Sequence, residues 1–439
     1  MSDLWPGLGG PKVHYISFPP PLAWQTRFPR SLVILGSTGS IGQSALSVVD
    51  ANPGAFLVQG LSCNSNVALL ASQAAKYRPP YLAVGSPHDK EALLALLPAN
   101  YSPMIFVGEE GFRSFVSVPE AETVLSAQSG GAGLSGTLAA ALAGRVILLA
   151  NKESLVLAGS LVRDICALTG AAVLPVDSEH NALFQCLAGR EQDVEHLVLT
   201  ASGGPFLGKS REALQKVTLS DALHHPNWKM GKKITIDSAT MMNKGLEVIE
   251  AFHLYGIARE AIEVVIHPQS IVHSLVRFVD GSLLAQMAVA DMRLPLAHCM
   301  LWPKKAKQAV APLDLSMMPD LSFAKPDTEA FPCLDLAMRA LQVRGGHCVV
   351  LNAANEAAVS LFLEGDCPFT AIPHLIAKAL DAHTATKPSH KPFCPPLLGA
   401  VSTHSLKEEV LSIAKRIHEL DAHTRAFVRK RAAQGDYSC

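Results

Sequence analysis

The stretch Ser31–Gly42 limits the architecture of this chain more than any other. A strand-length apolar run, Leu32–Leu35, leads into Gly36-Ser37-Thr38-Gly39-Ser40-Ile41-Gly42, and a helix-like pattern, Ile41–Val49, follows directly. Glycines at this junction let a backbone approach a pyrophosphate closely, and the free N–H groups of a helix start can bind it. The spacing is G-x-x-G-x-x-G rather than G-x-G-x-x-G, so the same residues would also serve as a plain tight turn between strand and helix. The alternation continues to about Ala150, with apolar runs at Phe56–Leu61 and Val146–Ala150 and a helical pattern at Val67–Tyr77. Such alternation predicts a Rossmann-like parallel α/β sheet. An acid near the end of the second strand would bind a 2′-hydroxyl, but Leu57–Asn66 contains none. NAD is therefore disfavoured. No Arg or Lys stands there either, so NADP would rest on the hydroxyl and amide groups of Asn64, Ser65 and Asn66.

A chain of 439 residues is long enough for two or three cores. Hydrophobic residues make up 49%, but Arg145, Lys152 and Arg163 interrupt the richest apolar region before it reaches membrane-spanning length. A formal charge of -1 offers no field to attract nucleic acid or an anionic membrane, so an anionic ligand must be captured locally. The nine cysteines are scattered, without a C-x-x-C pair, and read as free thiols. Residues 1–30 hold Asp3, several prolines and no continuous apolar segment. They are expected to form a disordered or surface-draped arm, with an organelle transit peptide as the weaker alternative. The expected order is this arm, a cofactor domain over 31–176, an α/β catalytic domain over 177–301, a linker over 302–331, and a helical bundle over 332–439. Helical spacing at Cys333–Val343, Val349–Glu364, Ala371–His383 and Ser405–Lys430 supports the bundle.

Polar motifs concentrate between the first sheet and the linker. Asn151-Lys152-Glu153 follows the run Val146–Ala150, at the strand edge where α/β folds gather ligands, although a solvated turn would look the same. Asp177 and Glu179 stand two residues apart, and in an extended segment they would project from one face. Two such oxygen donors suit Mg²⁺ or Mn²⁺, with Glu247 as a third; each could instead be a surface charge. Ser202 opens a small-residue turn, Ser202-Gly203-Gly204, able to meet a phosphate. A helix beginning near Ser238–Thr240 would put Asn243, Lys244 and Glu247 on one side, with Ser238 equally readable as an N-cap. Trp228 and Met230, in a segment rich in Pro and Gly, read as an apolar lid. His267 and His273 could each be catalytic, but lone histidines are more often simply hydrogen-bonded, and both read rather as structural or interfacial.

Seven motifs in order carry a resemblance that spans nearly the whole chain after Arg30. They are Gly-Ser-Thr-Gly-Ser-Ile-Gly at 36–42, Leu-Leu-Ala-Asn-Lys-Glu-Ser-Leu-Val at 148–156, Val-Asp-Ser-Glu-His-Asn-Ala at 176–182, Ala-Ser-Gly-Gly-Pro-Phe at 201–206, His-Pro-Asn-Trp through Asn-Lys-Gly-Leu-Glu at 225–247, His-Pro-Gln-Ser at 267–270, and Asp-Met-Arg at 291–293. Together they resemble the 1-deoxy-D-xylulose-5-phosphate reductoisomerase family. The resemblance implies an NADPH- and Mg²⁺- or Mn²⁺-dependent oxidoreductase of isoprenoid synthesis. Its members rearrange a phosphorylated ketose by retro-aldol cleavage and re-addition, then reduce the product to 2-C-methyl-D-erythritol 4-phosphate. It further implies Asp177, Glu179 and Glu247 as metal ligands, and Ser202, Ser238, Asn243 and Lys244 as the phosphate site. Lys152 and Ser178 would meet the ketose hydroxyls, and His225 and Trp228 would lie in a mobile flap; Lys152, Glu179 and His225 would act in catalysis. Met230 and Met292 would flank the nicotinamide, beside cofactor contacts from the 36–42 turn, Asn64–Asn66, Asn151, Glu153 and Gly231. A homodimer in the bacterial cytoplasm is implied, with a plastid-type organelle the lesser alternative. Two departures stand out. Ser65 replaces the Lys or Arg of many relatives, and Met287-Ala-Val-Ala replaces the commoner Gly-Glu-Pro before Asp291. The rival readings are a metal-independent dehydrogenase of a phosphorylated substrate and an NADPH sensor without turnover.

Overall fold

A computed structural model of the chain describes residues 16–190, 193–228, 230–307, 310–343, 345–386, 393–394, 397 and 403–437. Seven parallel strands form the first sheet: β1 (Arg30–Leu35), β2 (Phe56–Ser62), β3 (Tyr81–Val84), β4 (Met104–Val107), β5 (Thr123–Ser126), β6 (Val146–Leu149) and β7 (Ala172–Pro175). Their spatial order is β4-β3-β2-β1-β5-β6-β7. After the short α1 (Leu22–Thr26), the crossovers are α2 (Ser40–Ala51), α3 (Val67–Tyr77), α4 (Pro87–Leu96), α5 (Gly108–Phe115), α6 (Leu134–Leu142) and α7 (Lys152–Thr169). Helices on both faces explain why β5, β6 and β7 are buried at every residue and why β6 and β7 read as unbroken apolar runs. The order of strands reverses between β1 and β5, and the crevice at such a reversal is where doubly wound sheets hold their ligands.

Close packing at that crevice requires glycine. A Cβ on Gly42 would lie 2.4 Å from the Gly36 carbonyl oxygen and 2.5 Å from the Ser37 Cα. Backbone atoms of a tight turn cannot step aside. Gly42→Ala is therefore expected to destabilise the fold by about 2–3 kcal/mol, read as a lower urea midpoint with an unchanged slope; a midpoint matching the parent would refute this packing account.

The chain then enters a second, four-stranded sheet, ordered β11-β10-β8-β9. Its elements run α8 (Ser178–Leu187), β8 (Val194–Ala201), α9 (Arg211–Leu214), α10 (Leu219–Ala222), α11 (Lys232–Ala239), α12 (Met242–Tyr255), β9 (Ile262–Ile266), β10 (Val272–Phe278) and β11 (Leu283–Met287). Helix α13 (Arg293–Leu301) returns to pack on α2. The described residues of 302–331 carry a 3₁₀ turn at Leu315–Met317 and a bridge between Ala324 and Ile266. Four helices follow, α14 (Cys333–Val343), α15 (His347–Glu364), α16 (Ala371–Thr386) and α17 (Thr403–Ala433). One apolar core runs from Val33 through α7 and α12 into α15–α17, so these helices brace α7 and α12.

Two expectations are corrected. The arm, over its described residues, is built into the body: the Ile16 and Ser17 amides donate to the Leu254 carbonyl at 3.1 and 3.2 Å. Trp24 is buried, its indole N–H donates to Thr123 at 2.9 Å, and Arg30 stacks 3.4 Å from its ring centroid. A few large side chains bury enough apolar area to order a segment without periodicity. Residues 1–15 lie outside the described residues. The helix expected to start near Ser238–Thr240 is two helices instead. Met241 takes a left-handed φ of 63° between α11 and α12, and Ser238 belongs to the last turn of α11 rather than to an N-cap. The Thr240 hydroxyl explains the break, donating to the Asp237 carbonyl at 3.2 Å while accepting from the Met242 amide at 3.3 Å.

Candidate active site

The carboxyl ends of β1, β6 and β7 lead directly into the site. Asp177, two residues past β7, is the N-cap of α8 and accepts from the Glu179 amide at 3.3 Å. A helix start, not the extended segment expected from the sequence, sets the direction of this pair. Glu247 arrives from α12, and one oxygen from each of Asp177, Glu179 and Glu247 lies within 4.8 Å of the others. Three converging carboxylates fit a hard divalent cation such as Mg²⁺ or Mn²⁺.

Two buried lysines neutralise the acids. Lys152, the first residue of α7, places Nζ 2.7 Å from Asp177 Oδ2, 2.9 Å from Glu247 Oε1 and 2.9 Å from Asn243 Oδ1. Lys244 Nζ lies 2.9 Å from Glu179 Oε1 and also bonds Glu247. The helical spacing of Asn243, Lys244 and Glu247 does bring them to one side, and Asn243 donates to Glu247 Oε1 at 2.5 Å. Ser178 donates to Glu179 Oε2 at 2.5 Å. Burial alone would raise the Asp177 carboxyl, but Lys152 and His180 hold it well below its usual range. Burial and Glu179 push Glu247 upward against the pull of both lysines. Lys152 stays firmly protonated because Asp177, Glu247 and Glu250 outweigh its burial.

Behind the three acids stands a pair to which the sequence reading gave no role. His180 Nδ1 lies 3.3 Å from Asp177 Oδ1 and 3.4 Å from Glu250 Oε2, and its Nε2 lies 3.0 Å from the Glu247 carbonyl. Burial opposes protonation of His180, yet Glu250 and Asp177 raise it to about 9. The one available signal was spacing, since Glu250 follows Glu247 by three residues on the same helix.

One cavity of about 540 Å³ joins this basin to the anion side. Lys152, Asp177, Ser178, Glu179, Asn243, Lys244 and Glu247 line it, together with Ser202, His225, Trp228 and Ser238. The turn after β8 presses on the end of α11: a Cβ on Gly204 would sit 2.5 Å from the Ser238 carbonyl oxygen. Ser202 and Ser238, on either side of that contact, both line the cavity. His225 Nδ1 accepts from the Asn227 and Trp228 amides at 3.2 and 2.9 Å, which leaves Nε2–H to donate to Ser202 at 3.1 Å. Burial lowers the His225 pKa, in keeping with this neutral tautomer. Asn227 ties the segment across the cavity to the Pro268 carbonyl at 2.6 Å and to Ser270 at 2.9 Å. Trp228 meets the His273 ring at 6.1 Å. His267 is structural, bonded to the Ser322 carbonyl and stacked on Phe323.

The expected cofactor residues divide. Ser40 and Ile41 line the same cavity, opposite Met230, Gly231 and Met292. Gly36, Thr38, Gly39 and Gly42 form the turn behind them. Ser37 is buried, donating to Gln73 at 2.7 Å and to the Ser62 carbonyl at 3.1 Å. Asn66 caps α3, the Asn64 carbonyl accepts from Gly85 at 3.1 Å, and Ser65 is exposed. Asn151 caps α7 and donates to the Gln128 and Gly130 carbonyls, and Glu153 pairs with Lys233 at 2.9 Å.

A switch-point glycine turn sharing one cavity with a lysine–carboxylate basin defines a nucleotide-dependent enzyme of the doubly wound class, built for an anionic small molecule. Comparison with known proteins narrows this. Profiles described as 1-deoxy-D-xylulose 5-phosphate reductoisomerase, its C-terminal domain, and the DXP reductoisomerase C-terminal domain match residues 32–159, 173–255 and 287–425. Relatives of that name from Oleidesulfovibrio alaskensis and Lawsonia intracellularis are 57% identical over 372 residues and 53% over 376, covering 84% and 85% of this chain and 91% and 94% of theirs. A crystal structure of DOX-P reductoisomerase with NADPH, fosmidomycin and magnesium superposes with a TM-score of 0.83 at 42% identity, over 91% of this chain and 99% of that one. The Zymomonas mobilis enzyme with NADPH gives 0.77 at 38% identity, over 90% and 99%. The chain belongs to the 1-deoxy-D-xylulose 5-phosphate reductoisomerase family.

Proposed function

We propose that this chain converts 1-deoxy-D-xylulose 5-phosphate into 2-C-methyl-D-erythritol 4-phosphate with NADPH and a divalent metal, in the non-mevalonate route to isoprenoids. The observation that carries this reading is the convergence of Asp177, Glu179 and Glu247 with Lys152 and Lys244 in the cavity that the glycine turn also reaches. Asp177, Glu179 and Glu247 hold the metal; Ser202, Ser238, Asn243 and Lys244 hold the phosphate; Ser178 and Lys152 meet the ketose hydroxyls. When bound, the metal supplies a Lewis acid for the substrate's oxygens and NADPH the hydride. Lys152 stabilises negative charge developing on the ketose oxygen. His225 orients the Ser202 hydroxyl, and Trp228 excludes water once the 225–231 segment closes over the phosphate. The nicotinamide lies between Met230 and Met292, with the 36–42 turn, Asn64–Asn66, Asn151, Glu153 and Gly231 as further cofactor contacts.

The domain division follows the elements: cofactor binding over 31–176, catalysis over 177–301, a linker to 331 and helices beyond. A homodimer fits the edge strand β11, which exposes Leu283 and Leu284 next to Val279. The eight described cysteines are free thiols, in keeping with the bacterial cytoplasm. Among the described residues no helix is long and apolar enough to cross a membrane.

The test is oxidation of NADPH with the ketose phosphate, run with Mg²⁺, with Mn²⁺, with chelator, and again with NADH. Metal-dependent oxidation that yields the branched tetritol phosphate is expected. Turnover that survives chelation would favour a metal-independent dehydrogenase, and NADPH binding without turnover a sensor.

A further inference from the structure

A cation in the first turn of a helix opposes the helix dipole, so Lys233 on α11 needs another reason to be there. Its Nζ lies 2.9 Å from Glu153 Oε1 on α7 and 2.8 Å from Asp237 Oδ2, one turn further along α11. The other Asp237 oxygen accepts from Asn355 on α15 at 2.8 Å. The next residue, Glu356, adds its charge to the field on Lys233 and is itself held by Asn352 at 3.1 Å and by Arg425 on α17. Glu153 Oε2 completes the ring, accepting from Asn151 at 3.1 Å. Glu153 and Asp237 are both buried, and neither Lys233, Asp237 nor Asn355 lines the cavity. Each acid of the clamp is nevertheless the chain neighbour of a residue that does: Lys152 precedes Glu153, and Ser238 follows Asp237.

We propose that Lys233 is a positioning residue, clamping α11 to the first turn of α7 and to α15 so that Ser238 is held in register with Lys152 for the phosphorylated substrate. This rests on the reaction proposed above. Without the ammonium, two buried acids lose their cation and repel, and α11 is the element free to yield because its C-terminal end is the break at Met241. The error is delivered to Ser238.

The experiment combines steady-state kinetics with calorimetric binding of the ketose phosphate, for the parent, Lys233→Met, Lys233→Arg, Ser238→Ala and the Lys233→Met/Ser238→Ala pair. Lys233→Met is expected to raise KM and Kd for the ketose phosphate about tenfold, the scale at which residues touching no ligand modulate a site, while kcat stays within about twofold and KM for NADPH, which Glu153 would also touch, rises less, by about threefold. Arginine should restore most of the loss, and the effect should shrink in the Ser238→Ala background because both variants disturb one contact. Unchanged KM, equal rises for both substrates, or full additivity with Ser238→Ala would overturn the clamp. Should Lys233→Met not fold, Asn355→Ala, which loosens Asp237 from the other side, is expected to raise the same KM about threefold, and an unchanged KM there overturns the proposal equally. A parent that binds the ketose phosphate without turnover refutes the reaction but leaves the Kd comparison to decide the clamp.

Discussion

Asp177→Asn should lower kcat/KM by about a thousandfold, roughly 4 kcal/mol of transition-state stabilisation, on the scale of a lost Lewis-acid contribution. The substitution preserves shape and keeps an oxygen to cap α8, so the fold is expected to persist. It removes one of three converging carboxylates, and the one that Lys152 and His180 keep ionised against burial. Divalent-metal affinity should fall with activity, and raising Mn²⁺ should recover part of the rate. Retention of most activity at ordinary metal concentration would remove Asp177 from the ligand set and revive a metal-independent dehydrogenase.

Lys152→Met is expected to be nearly as damaging to turnover, about a hundred- to a thousandfold in kcat, but with the opposite effect on metal binding. The Lys152 ammonium stands 2.7 Å from Asp177 and 2.9 Å from Glu247, on oxygens a divalent cation would use. Removing it leaves a more negative basin, so Mg²⁺ should bind more tightly than to the parent. Without metal the variant should lose about 3 kcal/mol of stability, the usual cost of leaving buried charge unpaired, and saturating Mg²⁺ should return it. The pH dependence has a definite sign. Asp177 has a depressed folded-state pKa, so its contribution is present above its unfolded value and lost as pH falls through the folded one. The stability gap between parent and variant should therefore be widest near neutrality and narrow in acid. Calorimetry showing weaker Mg²⁺ binding in Lys152→Met would place Lys152 as a partner of the metal site rather than its competitor.

Much of this was legible in the residues. Apolar runs marked β1, β2 and β6 because helices cover both faces of the sheet, and helical spacing marked α3 and α14 to the residue. The convergence of the acids was legible as hard donors close together, but for the wrong local reason, since an N-cap and not a strand aims Asp177 and Glu179. The break at Met241 was hidden because it depends on how one threonine hydroxyl divides its bonds. Lys233 was hidden more deeply. Its carboxylate on α7 is 80 residues away, and a second lysine beside it in the sequence looks the same but is exposed. Charge partners across a fold leave no periodicity to read.

Asp177 lies only two residues past the last strand of the cofactor sheet. Boundaries drawn between the proposed cofactor and catalytic domains suggest parts that could be exchanged among relatives, yet here the edge strand of one mounts Asp177 at the head of the other. A chimaera joined at 176 would bring its own β7 twist and its own neighbours for β6, and would tilt α8 as a rigid lever with both acids on its first turn. Grafts that keep 146–187 intact preserve how Lys152, Asp177 and Glu179 are mounted relative to one another, whereas joints inside that span disturb it. For those three side chains the unit to carry over is the span from β6 to α8, which straddles the line between the proposed domains.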